Sequence, residues 1–331
     1  MNRNKVFLIF IILGLGLLAA VFLALITGGA TISLSMVIDA LIHPQKAGIA
    51  HTILWRLRIP RAIMGITVGA GLAGCGVIFQ AILRNPLAEP YTLGVSGGGA
   101  LGAAISICLG ISGFPMVGMC FAGCCSSMIL VYGISSIKNF SNTVLILSGV
   151  ILSFLFSSTV MLIFALARTR DVHNTIMWLM GNLSPINTTL INITALIVVP
   201  LLVILIPFGR DLNLLSLGEE KALHLGLDAQ KAKVFFFIIA SIITGACVAV
   251  SGIISFVGLI IPHFVRRAIG PNHQVLLPAS MLAGAIFLLL CDIFAQVIIR
   301  PLELPVGVIT GIAGALFFIG FLINSKDWEI M

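Results

Sequence analysis

"VFFFIIASIITGACVAVSGIISFVGLIIP", residues 234–262, is apolar almost from end to end, and its reading decides how often the chain crosses a bilayer. Taken whole it is one long tilted helix. Taken with a reversal at "VSGIISF", around Gly252, it is two. Basic residues arbitrate, because Lys and Arg favour the cytoplasmic side of short loops. With the reversal and a cytoplasmic N-terminus, 11 of the 18 basic residues fall inside: Arg3, Lys5, Arg84, Lys138, Arg210, Lys221, Lys231, Lys233, Arg266, Arg267 and Lys326. Without it the 18 divide evenly between the two sides. Ten spans with both termini cytoplasmic is the better reading.

Working outward, the other apolar stretches lie near 6–27, 62–83, 92–111, 115–135, 143–167, 188–208, 275–298 and 305–323, with the pair at 234–251 and 253–265. Composition agrees: 60% of the residues are hydrophobic, 9% are charged, and the mean hydropathy is +1.20. The expected class is an all-α, polytopic membrane protein of about ten transmembrane helices, multi-pass in the cell membrane. Loops between spans stay below about three dozen residues, too short for a second domain, so 1–331 reads as one transmembrane unit. The stretch from Val6 to Thr27 is longer than the core of a signal peptide and reads as the first span. The seven cysteines lie in apolar segments without metal-ligand spacing and read as small buried hydrophobes.

"RNPLAEPYTLGVSGGGALGAA", residues 84–104, looks like a phosphate loop but lacks the preceding strand such a loop needs. Its small residues, Gly94, Ser96, Gly97, Gly98, Gly99 and Gly102, suit close packing between membrane helices, as do Gly65, Gly69, Gly71, Gly74 and Gly76 one span earlier.

The segment 209–233, "GRDLNLLSLGEEKALHLGLDAQKAK", mixes Leu214, Leu215, Leu217, Ala222, Leu223, Leu225 and Leu227 with Glu219, Glu220, Lys221 and His224. That pattern predicts short amphipathic helices on each side of Gly218 or Gly226. By itself such a segment reads equally as a helix lying on the membrane. On the outward side, Arg56, Arg58 and Arg61 precede the second span and Arg300 precedes the last, against the charge bias. They either snorkel at helix ends or await carboxylates of a partner. Asn174, Met177 and Trp178, in the polar run 167–189, are candidates for lining a pathway near the outer mouth. Asp292 is the carboxylate deepest within a span; it either pairs structurally or serves as a coupling group.

Three blocks carry a resemblance: "RIPRAIMGITVGAGLAGCGVIFQAILRNPLAEPYTLGVSGGGALGA" (58–103), "FVGLIIPHFVRRAIGPNHQVLLPASMLAGAIFLLLCDIFAQ" (256–296) and "ELPVGVITGIAGALFFIGFL" (303–322). They resemble the signature blocks of the FecCD permease family, the membrane subunits of ABC importers for iron-siderophores, haem and cobalamin. The resemblance implies ten helices per subunit and a homodimer, or a heterodimer of paralogous permeases, with the pathway between subunits. It implies that 209–233 docks on the ATPase and transmits its closure, with Leu215, Leu217, Gly218, Glu219, Glu220, Leu223 and Gly226 as the coupling residues. It makes the 84–90 turn a cytoplasmic gate closed by Asn85 and Leu87, assisted by Ser141 and Asn142 of the "NFSNT" turn (139–143). Arg58 and Arg61 fall on the family's R-x-P-R motif for docking a substrate-binding protein, with Arg56 beside them and Arg300 placed by position.

Implied partners are therefore two ATPase subunits, an extracytoplasmic binding protein and membrane lipid, with no nucleic acid. No cofactor is expected in this chain, since ATP and Mg would be bound by the ATPase, and the chain itself is not expected to be an enzyme. The alternative, a secondary transporter using Asp292, would be expected to carry further coupling acids or histidines at the midplane. A membrane-embedded enzyme would need paired catalytic groups or a HExxH run, which the sequence lacks.

Overall fold

The computed structural model describes residues 3–29, 32–43, 48–138, 140–184 and 187–324, and the described residues contain helices and no strand. Asn139, Lys326 and the side chain of Arg3 lie outside what is described. In the stretch 234–262 the chain does reverse. Helix α12 in chain order, Ala229–Ser251, stops at Gly252, whose φ of 71° suits a residue without Cβ. The chain then stays out of helix until α13, Val257–Ile269, which begins and ends four residues later than the sequence suggests.

Around this pair the order is α1 (Arg3–Ile26), the short α2 (Leu34–Ile42) and α3 (Ile49–Ile53), α4 (Ile59–Leu83), α5 (Val95–Cys108), α6 (Phe114–Ser136) and α7 (Asn142–Leu166). Then come α8 (Thr169–Leu179), α9 (Thr188–Leu205), α10 (Gly209–Ser216) and α11 (Glu219–His224), with α14 (His273–Val297) and α15 (Val306–Asn324) completing the chain. Among the described residues, seven helices are long and apolar enough to cross a membrane by length and composition, and α5, α13 and α15 bring the traverses to about ten. One boundary differs markedly. The second span, expected from 62, is continuous helix from Ile49 through a widened π turn at Leu54–Arg58 to Leu83, so Arg58 and Arg61 sit within it. Three arginines within six residues depress hydropathy there without interrupting the helix.

Helix α4 is the axle of the bundle: 83% of its most apolar window is buried, against 6% for α1. Glycine makes this possible. A Cβ on Gly69 would overlap the backbone of Gly284 in α14, and one on Gly76 would overlap the carbonyl of Gly258 in α13. In a bilayer, where lipid is as apolar as leucine, this backbone-to-backbone approach drives helix association through van der Waals contact. The glycine run of α5 works likewise, with Gly98 against Gly123 and Gly102 against Met119 of α6.

Helices α5 and α13, at 14 and 13 residues, reach only about 20 Å at 1.5 Å per residue, short of a hydrocarbon core of about 30 Å. Non-α chain at 85–94 and 252–256 makes up the rest, and such backbone must find its partners inside the protein. The first stretch supplies side-chain acceptors to the second. The amide of Ile254 donates to the Tyr91 hydroxyl at 3.1 Å, and that of Phe256 to Glu89 Oε1 at 3.1 Å. The amide of Asn182 donates to the Ser251 carbonyl at 2.8 Å. Both Glu89 and the ring of Tyr91 are tied into the interior, a use that the sequence did not signal.

Candidate functional sites at the two ends of the bundle

One end of the bundle gathers α10, α11, the last turn of α4 and the first turns of α7, α12 and α14. Segment 209–233 forms the helices predicted for it: α10 and α11 are parted by Gly218 (φ 106°), and α11 and α12 by Gly226 (φ 86°). Asp228 caps α12, its Oδ1 accepting from the Lys231 amide at 3.1 Å, and this bond with the Lys231 ammonium holds its carboxylate below the usual range. The leucines divide. Leu215 lies in the chain's own core with Leu212 and Ala222, whereas Leu217 and Leu223 are exposed, as is Leu225. Leu215 is thereby corrected from an anchor facing a partner to a packing residue that fixes α10. Leu217 borders a groove lined also by Phe10, Asn213 and Asn272. Glu220 is exposed, while Glu219 is engaged within the chain.

The two turns expected to form a gate meet at this same end. Asn85 Oδ1 accepts from the Leu87 amide at 2.9 Å, folding the turn tightly and leaving Leu87 exposed. Ser141 is half-buried, its amide on the Lys138 carbonyl at 3.2 Å. Asn142 Nδ2 donates to the Leu83 carbonyl at 3.0 Å and so joins the start of α7 to the end of α4. Arg84, with a φ of 49°, brings its Nη1 to 3.1 Å from where a Cβ on Gly218 would stand.

A group that the sequence reading passed over sits between gate and hairpin. Lys233, in the first turns of α12, is 3% exposed, and its ammonium donates to Glu219 Oε1 at 2.5 Å, Asn142 Oδ1 at 2.6 Å and the Phe140 carbonyl at 3.4 Å. Nothing in the run "DAQKAKVF" distinguishes it from Lys231, which is exposed and salt-bridged to its own turn.

At the opposite end the four arginines separate. Arg56 and Arg300 are exposed. Arg58 is buried and its Nη1 donates to the carbonyls of Leu25 and Ile26 at 2.6 and 2.9 Å, where α1 ends with orphan acceptors. Arg61 grips Asp292 with both arms of its fork, Nε to Oδ2 at 2.8 Å and Nη2 to Oδ1 at 2.9 Å. Its Nη1 reaches Glu303 Oε2 at 2.6 Å and Ser184 Oγ at 3.2 Å. Gln296 Nε2 completes the shell around Asp292 at 2.7 Å. Of the four arginines expected to await a partner, Arg56 and Arg300 are exposed, while Arg58 and Arg61 are engaged within the chain. Between the ends, α8 exposes Asn174 and Met177 but turns Trp178 onto Val95, Cys124 and Val248, a packing position rather than a surface one. Among the described residues no cluster of three or more His, Cys, Asp or Glu could hold a metal ion.

A chain of seven long apolar helices and several shorter ones among its described residues, packed around a buried α4, is built as a multi-span membrane protein. The model of the FecCD transport family matches residues 16–324, and the chain belongs to that family, membrane permease components of ABC transporters. It is 37% identical over 295 residues to the Fe(3+) dicitrate transport system permease protein FecD of Escherichia coli K12, covering 87% of this chain and 90% of that one. It is 37% identical over 280 residues to the vitamin B12 import system permease protein BtuC of Vibrio vulnificus, covering 84% of each. A solved inward-facing structure of a transporter assigned to the metal-chelate ABC type superposes with a TM-score of 0.84 at 33% identity, over 96% of this chain and 99% of that one.

Proposed function

We propose that this chain is the permease subunit of an ATP-driven importer that brings a metal chelate, an iron chelate or a corrinoid of the cobalamin type, into the cytoplasm. The observation that carries the reading is the match along nearly the whole chain to a solved transporter of the metal-chelate type, with a TM-score of 0.84 at 33% identity. The end bearing α10 and α11 is cytoplasmic, which puts both termini inside. There Leu217, Leu223, Glu220 and the face of α11 meet an ATPase subunit that binds ATP and Mg. At the outer end Arg56 and Arg300 receive carboxylates of a substrate-binding protein. The solid centre of the protomer supports a pathway at the seam between two copies, closed on the cytoplasmic side by Leu87 and the 84–90 turn.

The engagement of Asp292 by Arg61 and Gln296 weighs against the alternative of an ion-coupled carrier, because a coupling acid has to exchange its proton and a clamped one is poorly placed to do so. Proteoliposomes carrying the permease, its ATPase partner and the binding protein test the reading. Uptake of labelled ferric chelate or cobalamin should require internal ATP and persist with a protonophore present. Uptake that follows an ion gradient without ATP, and disappears in Asp292→Asn, would establish the carrier instead.

A further inference from the structure

We propose that Lys233 is the positioning residue through which the hairpin moves the gate. This rests on the coupling and gate roles proposed above. The ammonium has three N–H donors and no acceptor, and the structure gives each donor one oxygen on a different element: Glu219 on α11, Asn142 on α7 and Phe140 in the turn before it. Asn142 continues the line, because an amide whose Oδ1 takes a lysine proton must present Nδ2 on its other side, and Nδ2 is on the Leu83 carbonyl at the end of α4. Glu219, Lys233, Asn142 and Leu83 therefore form a continuous relay from the ATPase-facing helix to the residue two places before Asn85.

Burial makes the relay sensitive to position. A lysine head 3% exposed is tolerable only while paired, and Glu219 is the carboxylate that pairs it. Glu219 stands on a six-residue helix hinged by glycines at both ends, half-exposed at the surface where the ATPase would press. Displacing α11 strips the ammonium of its counter-charge. The ammonium must then follow Glu219 and release Asn142, or stay and forfeit its ion pair. Either way the position of α11 and the state of the 84–90 and 140–142 turns are thermodynamically linked, and the linkage is reciprocal.

The test uses the full complex in proteoliposomes, with Leu87→Cys as a reporter of the gate across the pair of permeases and the same complex without that cysteine as background. With Lys233 present, crosslink yield should differ at least about fivefold between nucleotide-free and vanadate-trapped states, the lower range of typical couplings. In Lys233→Met that ratio should fall to about one while ATPase subunits remain bound and basal hydrolysis continues, since a buried positioning group acts between sites rather than in either. Glu219→Gln, which removes the counter-charge but keeps an oxygen for the ammonium to donate to, should also flatten the ratio, and combining the two changes should add nothing further. A parent-like ratio in Lys233→Met overturns the proposal while leaving the gate in place. Should Lys233→Met fail to fold, a parent-like ratio in Glu219→Gln overturns it equally. A flat ratio in the parent itself removes the gate reading and this proposal with it.

Discussion

At the scale of single residues, the clamp of Arg61 on Asp292 and the glycines of α4 give the sharpest tests. Removing one member of a buried ion pair leaves the other uncompensated, so Arg61→Met should destabilise the permease by about 3–5 kcal/mol. Arg61→Met with Asp292→Leu should recover only part of that loss, because the new side chains need no partner but Glu303 and the buried Gln296 lose theirs. Melting of the detergent-solubilised protein measures both. Gly76→Ala should be as damaging, since its Cβ would overlap the Gly258 carbonyl and overpacking typically costs about 1–3 kcal/mol. Gly133→Ala, where nothing stands within 4 Å, should be neutral or gain up to about 1 kcal/mol of helix propensity. The sequence announces the glycines, because repeated small residues in an apolar run have few other uses. It leaves Asp292 open between a paired and a functional acid, because the partner that decides lies 231 residues away.

At the scale of elements, the crossing of the two unwound stretches and the helical hairpin each make a prediction. Tyr91→Phe removes the acceptor for the Ile254 amide inside the protein, and an unsatisfied buried donor costs about 1–3 kcal/mol. Hydrogen exchange should quicken at residues 252–256 with little change in α6 or α9. In the hairpin, Leu217→Ala with Leu223→Ala should weaken capture of the ATPase subunit by about 1–3 kcal/mol for each leucine, with the permease melting as before. Leu215→Ala should do the reverse, lowering stability by about 2–5 kcal/mol through a core cavity, with any loss of capture following from unfolding. The hairpin was legible because Gly218 and Gly226 punctuate a pattern too polar for the bilayer. The division of its leucines was not, because α10 turns one face back onto α4 and α14, and only the tertiary arrangement sets that turn. The early start of the helix leading into α4 was hidden for another reason: hydropathy registers arginine as solvent-loving, while inside the fold Arg58 donates to backbone carbonyls and Arg61 to carboxylates.

At the scale of the whole molecule, the exposed cations of the outer end define what a partner would feel on approach. Arg56→Glu with Arg300→Glu should weaken binding-protein capture by about 1 kcal/mol per contact at low ionic strength, and the difference should fade as salt shortens the reach of the charges to about 8 Å. Association measured across a salt series checks this. Unchanged capture at the lowest salt would place the docking surface elsewhere. The traverse count of about ten was legible because hydropathy is a sum over many residues. The solid centre was not, since it depends on which helices meet. That centre also bears on the energy economy of the cell. Glycine contacts that leave no room for a side chain around α4 leave none for a file of water along it, and protons cross a bilayer most readily along water. Where α4 meets α13 and α14 at Gly76 and Gly69, the protein should therefore offer protons no path. With the pathway at a seam between two copies, as proposed, leakage of the membrane's proton gradient would be confined to that seam, and preventing it would fall to the proposed gate.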